Sequence, residues 1–372
     1  MKLFTIAAAA SVASASATLT TEVSLPTEFQ KIAAKVNMME DATWTAEAPM
    51  RFNTTEDVAN LCGTWLKGSE RYMDHRLPEL LTEVADEDVP SDFDARTNWP
   101  KCGTIAKVRD QSSCGSCWAF GSTEAFEDAH CVATGKSIEF SAQDTTACCN
   151  FLAGCFSMGC NGGQPSAALS WMSRRGVVTG GGELIDSERD SERDSEREEN
   201  HGLTPHPDYF DIGSGSSCLP YSLKPCAHHV PATSKYGKCP TSEYSTPKCV
   251  SSCSESSYTT SYSDDKTKGG SAHSVSGVSN IQKAIMTSGP VAAAFSVYSD
   301  FPTYKSGVYK HKTGSMLGGH AIELVGWGVE NSEGYWLVKN SWNEMWGDNG
   351  FFKIARGNDE CGIESQVSAI TF

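Results

Sequence analysis

The chain has 372 residues, 39% of them apolar and 9% aromatic, with 15 Cys and 33 Gly. That is enough apolar material for a core, so wholesale disorder is excluded, and the length corresponds to roughly two domains of chain. Thirty basic against 46 acidic residues leave a formal charge of −16, which argues against nucleic acid as a main partner. The charge is uneven: residues 1–89 hold 7 basic and 14 acidic groups and residues 186–199 hold 3 and 8, so the remaining 20 and 24 amount to only −4.

At the N-terminus, Lys2 precedes an apolar run from Leu3 to Val12 and then the small residues Ala13 to Ala17. This pattern predicts a secretory signal peptide over 1–17, cut near Ala17. No other stretch is long and apolar enough to cross a bilayer. The compartment is then oxidising, cysteines pair, and an odd count of 15 leaves at least one thiol over. Asn53-Thr54-Thr55 is a glycosylation sequon.

From Thr18 to about Val89 the sequence is polar and acidic, and Val89-Pro90-Ser91 predicts an exposed connection. Beyond it the chain is rich in Gly, Cys and Trp. Cys117–Ala133 has helical composition, with Trp118, Phe120, Ala125, Ala129 and Val132 as a buried stripe and Gly135 just past the end. Pro165 opens a second helix that Gly176 closes after Arg174-Arg175. Asn280 is placed to cap a third, Ile281–Thr287, which Gly289-Pro290 stops. Val291–Tyr298, Ala321–Trp327, Tyr335–Lys339 and Phe351–Ile354 are short apolar or alternating runs that predict antiparallel strands. A helical front and a β-rich back predict an α+β fold of two packed lobes with a cleft between them.

Two segments interrupt this order. Asp186–Arg197 is three copies of Asp-Ser-Glu-Arg; a four-residue period without an apolar face predicts a solvated loop. Ser214–Asp265 is rich in Ser, Pro and Cys and can be ordered only by cross-links.

The chemistry concentrates in Gln111-Ser112-Ser113-Cys114-Gly115-Ser116-Cys117-Trp118-Ala119-Phe120. A thiol in the first turn of a helix sits where unpaired N–H groups favour the thiolate. Cys114-x-x-Cys117 also admits a redox or zinc reading, but no second pair stands in zinc-ribbon spacing. A thiolate nucleophile needs a base, and Gly318-Gly319-His320-Ala321 puts a His at the start of an apolar strand. The base needs an orienting group, and Lys339-Asn340-Ser341-Trp342 offers an amide beside a shielding indole.

Those stretches, with Cys160-Asn161-Gly162-Gly163 and Tyr335 to Trp342, resemble the papain-like cysteine proteases over nearly all of 90–372. Within that family the chain is similar to the cathepsin B group, on His228-His229 between Cys226 and Cys239, Thr43-Trp44, Leu61-Cys62-Gly63-Thr64 and Asp359 to Ser365. The resemblance implies a helical left lobe, an antiparallel barrel-like right lobe and an active-site cleft between them. It makes 18–89 an inhibitory propeptide, 90–372 the mature peptidase with an acidic insertion at 186–199, and about 226–239 an occluding loop.

It also assigns roles. Cys117 is the nucleophile, a thiolate paired with the imidazolium of His320 and reacting through a thioester acyl-enzyme; Asn340 orients His320 under Trp342. The Gln111 amide and the Cys117 N–H form the oxyanion hole. Gly162 and Gly163 present bare backbone to an extended substrate, Pro165, Ala294, Ala321 and Gln366 line the S2 pocket, and His228 and His229 meet a substrate's terminal carboxylate, with His228 able to pair with Asp110. The implied disulfides are Cys102–Cys131, Cys114–Cys160, Cys148–Cys249, Cys149–Cys155, Cys218–Cys253 and Cys226–Cys239, leaving Cys117, Cys62 and an inert buried Cys361.

The implied activity is endopeptidase plus carboxy-dipeptidase. It belongs to a monomer of the secretory pathway, lysosomal, vacuolar or extracellular, acting on peptides and proteins, with no metal and no cofactor. Its own propeptide and cystatin-type proteins are the implied inhibitors. Two departures stand out. Gln366 replaces the acidic residue at the base of S2. Met345 replaces the acidic residue that ties down the occluding loop through an Arg, where Ser234-Lys235 now fall, so the loop is expected to be loosely latched. A rival from another class, a non-catalytic binding relative, predicts loss of the nucleophile, whereas Cys117, His320, Asn340 and Gln111 are all present.

Overall fold

The computed structural model describes residues 26–49, 52, 54–181, 217–227, 232, 236–240 and 242–372. The expected signal peptide over 1–17, Asn53, the Asp186–Arg197 repeat, and His228 and His229 lie outside the described residues.

The chain opens with helix α1 (Glu28–Asn37), whose start is fixed by a reciprocal capping box between Thr27 and Gln30. Strand β1 (Trp44–Ala46) and helix α2 (Thr55–Ala59), capped by Thr54 and Asp57, follow. After residue 90 come β2 (Phe93–Asp94), α3 (Ala95–Asn98), α4 (Cys117–Thr134), α5 (Ala142–Cys148) and α6 (Pro165–Arg175). The remainder is β3 (Cys226–Ala227), β4 (Gly237–Lys238), β5 (Ala272–Val275), α7 (Val278–Ser288), β6 (Val291–Tyr298), β7 (Tyr304–Tyr309), β8 (Met316–Glu330), β9 (Glu333–Lys339), β10 (Phe351–Ala355) and β11 (Val367–Ile370).

Three element starts differ from the sequence expectation, β9 by only two residues at Glu333. Helix α7 begins at Val278, and Asn280 does not cap it but donates back to the Ser276 carbonyl. Strand β8 begins before the glycines, because Gly318 and Gly319 still pair with Val297 and Ser296 of β6. His320 therefore lies inside a strand, which holds its backbone on both sides.

The large sheet runs β1-β7-β10-β9-β8-β6-β11-β5, with β2 beside β8. It is antiparallel except for the parallel β7–β10 pair. One core fills its interior around Phe295, Phe301, Trp336, Trp342 and Trp346. A second, around Trp118, Phe126, Phe140 and Trp171, packs the helices of the other lobe. Helix α4 lies between them.

A buried ion cluster fastens that helix to the sheet. Lys339, at the end of β9, is fully buried, and its Nζ lies 2.6 Å from Glu323 of β8 and 3.0 Å from Asp128 of α4. It also donates to the Thr104 carbonyl at 3.1 Å. Glu124, Glu127 and Glu139 surround the same centre, with Arg109 3.5 Å from Glu127 and Lys107 paired to Glu139. Five acids face three cations, so protons must make up part of the difference. Burial pushes the Glu124 carboxyl up to about 7, and Glu127 and Glu323 well above the usual carboxylate range.

Carboxyls raised in the folded state give stability that is complete below about 4.5 and is lost as pH rises through their folded values. The thermal midpoint of the chain is expected to fall between pH 5 and pH 8, which calorimetry measures. Lys339→Met leaves the acids without their central cation and should cost about 3–5 kcal/mol at pH 7, and less at pH 5. A variant equally destabilised at both pH values would contradict this.

Candidate active site

Cys117 is the first residue of α4, reached through a turn in which Ser112 has a positive φ of 57°. The Asp110 carboxylate holds that turn by accepting from the Ser112 N–H at 2.7 Å. The thiol is fully buried and makes no disulfide; Cys114 is bonded to Cys160, which removes it from any shared zinc site with Cys117.

In β8, whose Ala321 N–H reaches the Cys117 sulfur, His320 Nε2 lies 2.8 Å from Asn340 Oδ1. The same oxygen accepts from the Ser341 N–H at 2.9 Å, which identifies it as the amide oxygen. Nε2 therefore carries the proton, and Nδ1 is left as the basic nitrogen. That Nδ1 is buried, makes no hydrogen bond of regular geometry, and has the Leu61 carbonyl as its polar neighbour. Trp342 covers the pair, its ring centroid 4.8 Å from the imidazole.

Gln111 is fully buried beside them. Ser341 Oγ donates to its Oε1 at 2.9 Å and turns its Nε2 toward the cleft. Ser341 was not singled out from sequence; its signal was adjacency to Asn340.

The cleft is filled by the chain's own residues 61–66. Gln111 Nε2 donates to the Leu61 carbonyl at 2.9 Å, so a peptide oxygen already occupies the amide donor. Gly63 passes so close to the nucleophile's turn that a Cβ there would lie 1.7 Å from the Gly115 oxygen. Thr64 Oγ1 lies 3.2 Å from Cys117 Sγ. Thr64 N–H donates to the Gly319 carbonyl, and Gly163 exchanges hydrogen bonds with Gly63 and Trp65, with parallel strand polarity at both rims. A Cβ on Gly162 would come 2.5 Å from Trp65 Nε1, which is why that wall must be bare.

The electrostatics follow from this cover. Burial raises the Cys117 thiol above its usual range, only partly offset by the Thr64 hydroxyl and nearby N–H groups. Burial also lowers His320 to about 4, against the opposing bond to Asn340. In the covered state the pair is therefore neutral thiol and neutral imidazole, not the ion pair that the resemblance implies for an open cleft.

The structure brings Ala294 and Ala321 opposite each other in the β6–β8 register, with the Gln366 carbonyl accepting from the Ala294 N–H at 3.1 Å. Gln366 Oε1 accepts from the Lys67 N–H, and Pro165 opens α6 beside Gly163. Gln164 clamps the Met73 peptide through both its amide atoms, at 2.8 and 2.9 Å. The disulfides are Cys102–Cys131, Cys114–Cys160, Cys148–Cys249, Cys149–Cys155, Cys218–Cys253 and Cys226–Cys239.

Met345 is no acid, but Tyr236 of the 226–239 loop donates its hydroxyl to the neighbouring Glu344 carboxylate. At the loop's base the Cys226 N–H donates to Asp110 at 3.1 Å, and Asn343 Nδ2 donates to the Cys226 carbonyl.

The sequence profile described as "Papain family cysteine protease" matches residues 89–371. A "Cathepsin B-like cysteine proteinase" of Schistosoma japonicum is 41% identical over 337 residues, 90% of this chain and 88% of that protein. A "Gut-specific cysteine proteinase" of Caenorhabditis elegans is 44% identical over 290 residues, 77% and 75% of the two chains. Among solved structures, "proCathepsin B S9 from Trypanosoma congolense" superposes with a TM-score of 0.68 at 28% identity, over 92% of this chain and 97% of that one. Procathepsin L 3 of Tenebrio molitor, at 19% identity and a TM-score of 0.61 over 92% and 90%, shares the fold.

Removing the Ser341 hydroxyl leaves the buried Gln111 acceptor without its donor. Ser341→Ala should lower the unfolding free energy by about 1–3 kcal/mol. Denaturant titration measures this, and an unchanged midpoint would remove the hydroxyl from the account.

Proposed function

This chain belongs to the papain family of cysteine proteases, and we propose that it cleaves peptide bonds through Cys117 after release from autoinhibition by residues 18–89. The observation that carries the reading is the peptide carbonyl held on Gln111 Nε2 beside Cys117, with His320 aligned by Asn340. A substrate carbonyl on that donor presents its carbon to the thiolate. His320 takes the thiol proton on Nδ1, the oxyanion is stabilised by Gln111 and the Cys117 N–H, and the same imidazole protonates the departing amine. Water then hydrolyses the thioester.

In the covering segment the Leu61 carbonyl holds that donor while the Thr64 hydroxyl holds Sγ, which keeps the sulfur engaged away from the carbonyl carbon. Uncovering moves a proton from Sγ to Nδ1 within the pair and draws none from solvent. The catalytic pair therefore gives acid no handle on activation.

The handle is the set of carboxylates that pin the segment. Asp41 pairs with Lys312 at 2.8 Å, Asp86 with Lys283 at 2.6 Å, and Glu47 with Lys305 at 3.0 Å. The lysines hold Asp41 and Asp86 below their ordinary value of 3.8. Attachment through carboxyls lowered in this way is present above about 4 and is lost as pH falls through their bound values.

The activity includes carboxy-dipeptide release, supported by the resemblance and by the anchored base of the 226–239 loop. The signal-like N-terminus and the six disulfides support routing through the secretory pathway to a lysosomal, vacuolar or extracellular site. Cystatin-type proteins are the expected external inhibitors.

The decisive experiment pairs two variants. Cys117→Ala should abolish turnover of acid-processed enzyme without loss of folding, and Gln111→Ala should lower kcat on the order of 10²–10³-fold. Full turnover by Cys117→Ala would refute the mechanism. Processing of the intact chain, followed by gel electrophoresis, should accelerate as pH falls below about 4. The Lys283→Met, Lys312→Met double variant should process at higher pH, and an unchanged profile would show that these pairs do not hold the segment.

Selectivity at S2 follows from Gln366. A guanidinium there meets a neutral amide oxygen instead of a carboxylate, and charge-assisted bonds are the stronger class. Peptides with Phe, Leu or Val in S2 should be cleaved better than those with Arg. Gln366→Glu should recover Arg cleavage, and equal kinetics for Phe and Arg in the parent enzyme would contradict the assignment.

A further inference from the structure

The covering segment carries a thiol of its own at the catalytic centre. Cys62 stands between Leu61, whose carbonyl is bound by Gln111, and Gly63-Thr64, which touch Gly115 and Cys117 Sγ. Its Cβ packs against Gly318, two residues before His320, where an added methyl would lie 2.7 Å away. Three cysteines make no disulfide: Cys62, Cys117 and Cys361. Cys361 is elsewhere, beside Glu360 and Asp300. Burial, and after it the charge of a Cys117 thiolate, raise the Cys62 thiol, so these two sulfurs are electrostatic neighbours.

We propose that Cys62 is a redox site that cross-links to Cys117 when the intact chain meets a small disulfide oxidant, locking the segment into the cleft until a thiol reductant opens it. The steps balance. Cys62, half-buried where Cys117 is fully buried, is reached first. Its thiolate attacks one sulfur of the oxidant, the oxidant's S–S bond breaks, and one small thiolate leaves. Cys117 then gives its proton to His320 Nδ1 and attacks the Cys62 sulfur of the mixed disulfide, expelling the second small thiolate, which takes the proton from the imidazolium. Two protein thiols are oxidised, and one small disulfide is reduced to two thiols.

Both thiols are held protonated by burial, so the reaction is slow and suits long residence in an oxidising compartment. The effect is a two-key zymogen. Acid weakens the carboxylate clamps, but the covalent lock still requires a reductant. The loss of activity rests on Cys117 being the nucleophile; the cross-link itself does not.

The test incubates the intact chain with glutathione disulfide, quenches it, and maps its peptides without reduction. The expected result is a Cys62–Cys117 linked peptide, a fall in titratable thiols from three to one, and acid processing that returns only with dithiothreitol. Cys62→Ser should form no such peptide, keep Cys117 and Cys361 titratable, and process at acid pH without reductant. Absence of the linked peptide, with Cys62 and Cys117 both still alkylated by iodoacetamide after unfolding, would overturn the proposal. So would a fully cross-linked chain that processes without reductant. A mapped cross-link in the parent chain, together with substrate turnover by the separate Cys117→Ala variant, would instead fault the assignment of the nucleophile and leave the lock standing.

Discussion

A single buried ammonium joins the two lobes. Lys339 bonds Asp128 on α4, Glu323 on β8 and the Thr104 carbonyl. Each of these elements delivers part of the site: α4 begins with Cys117, β8 carries His320, and β9 runs directly into Asn340. A cation without water must keep its acids close, and truncating it strands several buried carboxyls at once. The arrangement positions the thiol, the imidazole and the amide with a tolerance that surface contacts could not provide.

The cleft thus formed is used first by the chain itself. The Leu61 carbonyl takes the Gln111 amide, Gly63 and Trp65 take the backbone of Gly163, and Thr64 takes Sγ. These are the contacts an extended substrate would need, and they fit because Gly63, Gly115 and Gly162 leave no side chains between the two backbones. The same coverage excludes water, and its electrostatic consequence is a neutral pair. Inhibition and recognition draw on one set of groups and differ in which atom faces the sulfur.

Much of this was legible in the residues. Cys117 at a helix start, Pro165 opening α6 and Gly176 closing it follow from local backbone rules, and the structure has them at those positions. Gly318 and Gly319 misled, since glycines before an apolar run read as a boundary, while here they continue the ladder with β6. Strands β5 and β11 were missed because four residues, buried throughout in β11 and at both ends of β5, are too short to carry a pattern. Glu124, Glu127 and Asp128 lie off the apolar stripe that marked α4 in the sequence, and only tertiary packing brings Lys339 to them. The Tyr236–Glu344 latch was hidden for a similar reason, because the acid expected in place of Met345 stands one position earlier. Cys62 was visible as an unpaired cysteine, but its neighbour could not be read from spacing.

The central claim is that covering the cleft holds Cys117 and His320 as a neutral pair and uncovering it creates the ion pair. Thiolate absorbance in the far ultraviolet reads this directly, recorded on the intact chain and on the acid-processed enzyme between pH 5 and pH 8 against Cys117→Ser blanks. The account predicts no Cys117 thiolate signal in the intact chain and one thiolate per molecule after processing. An equal signal in both forms would contradict it.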